Sequence, residues 1–229
     1  VNTLSNTWDI ESKTAPPGWG ADFSIGNTIG DLGLVFAATF GNSYQQHWGE
    51  ELVAYQNAGS RTMPSIRPRD GSTYNHGIYE TNLGAIASAG YKLGTNHKFT
   101  LRGLVNRNTE DDAFQGTGGF SESQQDQDIF QNVLQYEEEQ LGFGQLAGES
   151  KWDWVELDWR TALSQSTQNI PDARFVRFIQ EGDATVRSLD PKQPSLLRVY
   201  QDLDEWLTDS AVDASIPFKT ALPGTDLWK

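Results

Sequence analysis

A chain of 229 residues has room for one large β domain or two small ones. Its 31 acidic against 17 basic residues give a formal charge of -14 and leave no basic stripe for a phosphate backbone, so nucleic acid is not an expected partner. The absence of cysteine excludes disulfide scaffolds, zinc ribbons and thiol catalysis, and no apolar run approaches the about 18 residues of a transmembrane helix.

The first residues, VNTLSNTW, carry no Met, no basic region and no apolar run, so no signal peptide is expected. Residues 1–19 read as a loop or extension, and residues 221–229 as a cut end, as if from a longer protein. Ala21 to Gly30 is the first strand-like run, closed by a tight Gly30-Asp31 turn. From Leu32 onward, Leu34, Phe36, Ala38 and Phe40 alternate with Gly33, Val35, Ala37 and Thr39, large apolar residues against small or polar ones. The period-2 pattern lapses over residues 54–75, which read as a long loop rich in Gly, Pro, Ser and Arg.

Residues 82–108 then form a predicted hairpin about Gly94-Thr95-Asn96. Residues 108–128, polar, acidic and glycine-rich, read as a second long loop. Strand character returns over Leu134 to Leu146, with a short turn expected at Gly148-Glu149-Ser150 before WDWVELDWRTALS. Residues 166–195 read as a third long loop containing Pro171, Pro191 and Pro194. Leu196, Val199, Tyr200 and Leu203 recur at helical steps and predict a short amphipathic helix. Ser210 to Phe218 is the last predicted strand.

About seven long strands result, with short and long connections in strict alternation. That order predicts an all-β fold: an antiparallel up-and-down transmembrane β-barrel segment, a single partial domain whose strands and loops occupy residues 20–220. Short turns would be periplasmic and long loops extracellular. In this reading Leu34, Phe36, Phe40, Leu83, Tyr91, Phe99, Leu101, Val155, Leu157, Trp159, Val212, Ile216 and Phe218 face lipid. Arg102, Asn106, Glu156, Asp158, Arg160 and Asp213 face the lumen. A soluble sandwich would give the same alternation on any one strand, with the apolar register facing a core. Position at the strand ends separates the two. Tyr91, Phe99, Trp152, Trp159 and Phe218 lie near short turns, and Phe40, Tyr44 and Trp48 lie toward a long loop. Aromatics at both ends of an aliphatic band match interfacial girdles.

Four stretches resemble barrel strands of TonB-dependent outer-membrane receptors: FSIGNTIGDLGLVFAATFGNSYQQHWGEE, NLGAIASAGYKLGTNHKFTLRGLVNRNTED, EEEQLGFGQLAGESKWDWVELDWRTALSQSTQNIPDAR and LLRVYQDLDEWLTDSAVDASIPFK. The third carries most of the resemblance, through its AGESK turn, its W…DW strand and PDAR. The resemblance implies a 22-stranded barrel around an N-terminal plug, and energy-coupled uptake of a scarce solute of siderophore, cobalamin or carbohydrate type. This chain departs from that pattern in having no plug and no TonB box, so it resembles one wedge of such a barrel. The implied partners are outer-membrane lipid, the remaining barrel strands, a small-molecule solute, and TonB acting through a plug that this chain lacks. Solute would meet the extracellular loops, with Trp48, Tyr55, Tyr74 and Phe120 as platforms and Arg67 and Arg69 as a small basic island beside Arg61.

Chemistry has little support. His47, His76 and His97 do not have the spacing of a zinc motif, and no G-x-S-x-G occurs. NTEDD lacks the regular spacing of a calcium loop. Neither a metal nor another cofactor is expected. Glu156 and Asp158, about 7 Å apart on one strand face, with Trp152, Trp154 and Trp159 nearby, leave one alternative: a soluble β-sandwich carbohydrate-active enzyme using the two carboxylates.

Overall fold

The computed structural model describes residues 7–57, 65–118, 127–181, 186–191 and 194–218. Among these residues there is no helix, and every strand belongs to one antiparallel sheet. The strands are β1 (Trp19–Ile29), β2 (Leu32–Asn57), β3 (Ile66–Leu93), β4 (His97–Gly118), β5 (Gln127–Trp152), β6 (Val155–Glu181), β7 (Ser188–Leu189) and β8 (Leu196–Ser215). Each pairs with its sequence neighbour from β1 to β6, and both β7 and β8 pair with β6. The architecture is an up-and-down meander in one layer, not a two-sheet sandwich.

The expected alternation of short and long connections holds in part. β1 and β2 meet at Gly30 and β3 and β4 at Gly94, both with positive φ (61° and 64°), which glycine adopts without the Cβ penalty. These turns are stitched to the next hairpin: Lys92 N donates to Asp31 O at 3.0 Å, and Lys151 N to Asn96 O at 2.8 Å. The third short turn differs from expectation. Residues 148–150 stay in β5, and the chain reverses at Asp153-Trp154, with Trp152 paired to Val155. Gly148 is a strand position because Trp159, its cross-strand partner, lies over it in the space a Cβ would need.

The strands are much longer than the alternation alone indicates. β2, β3, β5 and β6 run to 26, 28, 26 and 27 residues. Most of residues 54–75, 108–128 and 166–195 is therefore strand rather than loop. Polar residues on both faces erase the period-2 signal there while the backbone ladder continues. Pro171 is accommodated at a register shift between Ile170 and Ala173. The predicted helix at 196–203 is the start of β8, and the last strand begins there rather than at Ser210. Its helical spacing arose from apolar residues on both faces of one strand: Val199 and Leu203 share one face, and Leu196 and Tyr200 the other.

Well-buried apolar residues are few and concentrate in β5 and β6: Ile129, Val155, Ile170, Ala173, Val176 and Ile179. Elsewhere a single layer leaves large side chains open, such as Leu101 at 57% and Ile25 at 60% exposure. Burying a side chain of this size gains about 1.5–3 kcal/mol, so an apolar face this wide favours a covering environment.

Candidate functional site

The pairing register assigns every strand residue to one of two faces, because directly paired residues share a side. One face collects Leu34, Phe36 and Phe40 of β2, Leu83 and Tyr91 of β3, and Phe99 and Leu101 of β4. It continues through Leu146 to Val155, Leu157 and Trp159 of β6 and Val212 of β8. These residues, separately expected on one side, form a continuous apolar surface. Ile216 and Phe218 lie beyond the end of β8 and remain exposed. From Leu83 to Leu93 the strand rises about 33 Å at about 3.3 Å per residue. Barrel tilt of about 40° projects that onto about 25 Å, the height of a lipid-facing band.

Aromatic residues border the band on both sides. Near the short turns Tyr91 pairs with Phe99, Trp159 lies over Gly148, and Trp152 packs on His97 at 5.5 Å. At the far border Trp19 meets Phe40 at 4.7 Å and Tyr44 stacks on Tyr79 at 4.5 Å. Just above the band the same face turns polar, where Arg107 pairs with Glu138 at 2.5 Å.

The opposite face carries Arg102, Asn106, Glu156, Asp158, Arg160 and Asp213 in register. Arg160 lies 3.9 Å from Asp209 and Lys151 3.4 Å from Glu156. Asp158 stands between Glu149 and Asp213 on the flanking strands. This face is not uniformly polar: Ala37, Ile86, Leu104 and Phe143 form an apolar row across β2 to β5. Farther from the turns, Glu80, Glu110 and Glu137 are direct neighbours on three strands. Desolvation raises the Glu110 carboxyl above its ordinary range, and the charges of Asp112, Glu80 and Glu137 add to the shift. Glu138, next in sequence but on the other face, is lowered, first by its hydrogen bond from Arg107.

The expected solute-contact residues fall on strands rather than loops. Trp48 lies on β2 at a register shift beside Gly49, and Tyr55, also on β2, pairs with Pro68. Tyr74 lies on β3 and packs against Phe114 at 5.4 Å, in a group with His76. Arg67 and Arg69 lie along β3, and Phe120 and Arg61 fall outside the described residues. His47 bonds Glu50 at 2.9 Å and His76 bonds Asp112 at 2.6 Å. Among the described residues no group of three or more His, Asp or Glu has a metal-binding arrangement.

Sequence reasoning missed the Tyr44–Tyr79 stack, the His76–Asp112 pair and the glutamate row. Stepping outward in pairs from Gly94-Thr95-Asn96 supplies Glu80 beside Glu110 and His76 diagonal to Asp112; the Tyr44–Tyr79 stack and Glu137 depend on the β2–β3 and β4–β5 registers, which that turn does not set. The chain matches no protein-family model and no curated protein.

Proposed function

We propose that the chain is part of the wall of an outer-membrane β-barrel, in a TonB-dependent receptor that takes up a scarce solute. One observation supports this above the others. The register places one apolar face, about 25 Å tall after tilt, between two aromatic borders, with charged residues behind it. In this reading Leu34 to Phe40, Leu83 to Tyr91 and Phe99 to Val105 meet lipid through that face. Arg102, Asn106, Asp158 and Arg160 point to the lumen. The long strands carry the wall well beyond the bilayer, where Trp48, Tyr55 and Tyr74 would meet solute. The apolar row through Ile86, Leu104 and Phe143 suits an interior covered by a plug rather than filled with water throughout.

Both sheet edges support the same reading. β1 is exposed along its whole length, and β8 along nearly all of its own. Unpaired edges are not tolerated in hydrocarbon, so further strands would have to complete the wall. Fractionation of the full-length protein from its own cells tests this directly. The protein should sediment with outer membranes and resist release by carbonate or high salt. Recovery in the soluble fraction without detergent would overturn the reading.

A further inference from the structure

Residues 7–18 cross the sheet on the apolar side, beyond the band. At one end the Arg198 guanidinium sits 5.1 Å from the Trp8 ring, and Asn132 donates to Trp8 O at 3.4 Å. At the other, residues 10–15 form one wall of a cleft of about 300 Å³ whose floor is β2, β3 and β4. Tyr44, Tyr79 and Trp48 line it, together with Asn75, Asp111 and Gln115.

The polar groups are oriented by their neighbours. Gly49 N donates to Asn75 Oδ1 at 2.9 Å, which leaves the Asn75 amide nitrogen as a donor. Gln115 Nε2 donates to Asn132 Oδ1 at 3.3 Å, which leaves the Gln115 carbonyl as an acceptor. Asn75 and Gln115 are direct cross-strand partners, so a donor and an acceptor stand side by side, four residues along β4 from the Asp111 carboxylate on the same face. Trp48 is 60% exposed and offers an indole face.

We infer that this cleft binds a neutral saccharide. Adjacent donor and acceptor groups match vicinal hydroxyls, each of which both donates and accepts. The negatively polarised faces of the aromatic rings suit the C–H side of a pyranose. Asp111 and Glu11 at the cleft outnumber Lys13, so the balance of charge disfavours an anionic ligand. The inference rests on the distal sheet and residues 7–18, and stands whether or not the apolar face meets lipid. The sugar could be a free oligosaccharide or the headgroup of a glycolipid.

Calorimetric titration of the full-length protein tests it, with maltohexaose, cellohexaose and chitohexaose as neutral probes and a heparin hexasaccharide as the anionic one. Vesicles of phosphatidylcholine with and without a monogalactosyl lipid form the second arm. At least one neutral probe, free or lipid-borne, should bind. Trp48→Ala and Gln115→Ala should each weaken it at least tenfold, Trp48→Phe should restore part of the affinity, and Leu52→Ala should leave it unchanged. Binding to galactolipid vesicles alone would assign the headgroup as the source. Failure of every neutral probe in both arms would overturn the inference. So would equal binding of the heparin fragment, or affinity indifferent to Trp48→Ala and Gln115→Ala.

Discussion

Glu110 and Glu138 show how much a face matters to a single residue. Both lie beyond the apolar band, on adjacent strands, and their carboxyl groups shift in opposite directions. Glu110 is harder to ionise in the folded chain than in the unfolded one. Its contribution therefore turns unfavourable as pH rises from the ordinary carboxylate range through its raised value, and stays so above. Glu110→Gln should raise the unfolding midpoint at pH 7, and the gain should vanish below about pH 4, as followed by tryptophan fluorescence in urea. Glu138 has the reverse sign: its pairing with Arg107 contributes above the ordinary range and is lost as pH falls through its lowered value. Glu138→Gln should lower the midpoint at pH 7 and matter less in acid. At the short-turn rim, Gly148→Ala should displace the Trp159 indole and cost about 1–3 kcal/mol, with a shift in tryptophan emission. None of this was legible in the sequence, where Gly148 read as a turn and NTEDD as a solvated loop; both errors came from lacking the cross-strand partner.

At the scale of elements, the sequence was informative wherever one face was apolar and the other was not. The hairpin about Gly94, the Gly30 turn and the separation of Leu101 from Arg102 all appear in the fold as read. It was uninformative where both faces are polar, so the distal halves of β2 to β6 passed for loops. It misled at β8, where apolar residues on both faces mimicked a helix. The junction of β7 and β8 also needed three dimensions to be seen. There Arg177 N donates to Ser195 O at 2.8 Å, and its guanidinium lies 3.2 Å from the Asp190 carboxylate, which is only 7% exposed. Removing one partner of a buried pair leaves the other charge uncompensated. Asp190→Ala should cost about 2–4 kcal/mol and should speed amide exchange at Arg177 more than at Leu101. On β4, Leu101→Arg should cost about 2–4 kcal/mol in a lipid setting, while Arg102→Leu should cost much less, as read from urea midpoints in the same lipid.

For the whole molecule, the described residues make a wall without a second layer and with both edges open. A protein core, a partner surface and lipid would each satisfy the apolar face, and each leaves a different physical signature. These 229 residues contain no cysteine, so a single cysteine introduced among them can carry a spin label once any cysteine elsewhere in the full-length protein is replaced. The measurement is nitroxide accessibility along residues 83–89 and 99–105 in the full-length protein reconstituted into bilayers. Oxygen should relax labels at Leu83, Ala85, Ala87, Phe99 and Leu101, and an aqueous nickel complex should not. Labels at Gly84, Ile86, Arg102 and Leu104 should be protected from oxygen, so that oxygen exposure alternates with a period of two. Protection of the first set from both reagents would mean that the face is packed against protein, and exposure of both sets to nickel would mean that it lies in water. Either result would contradict the membrane wall.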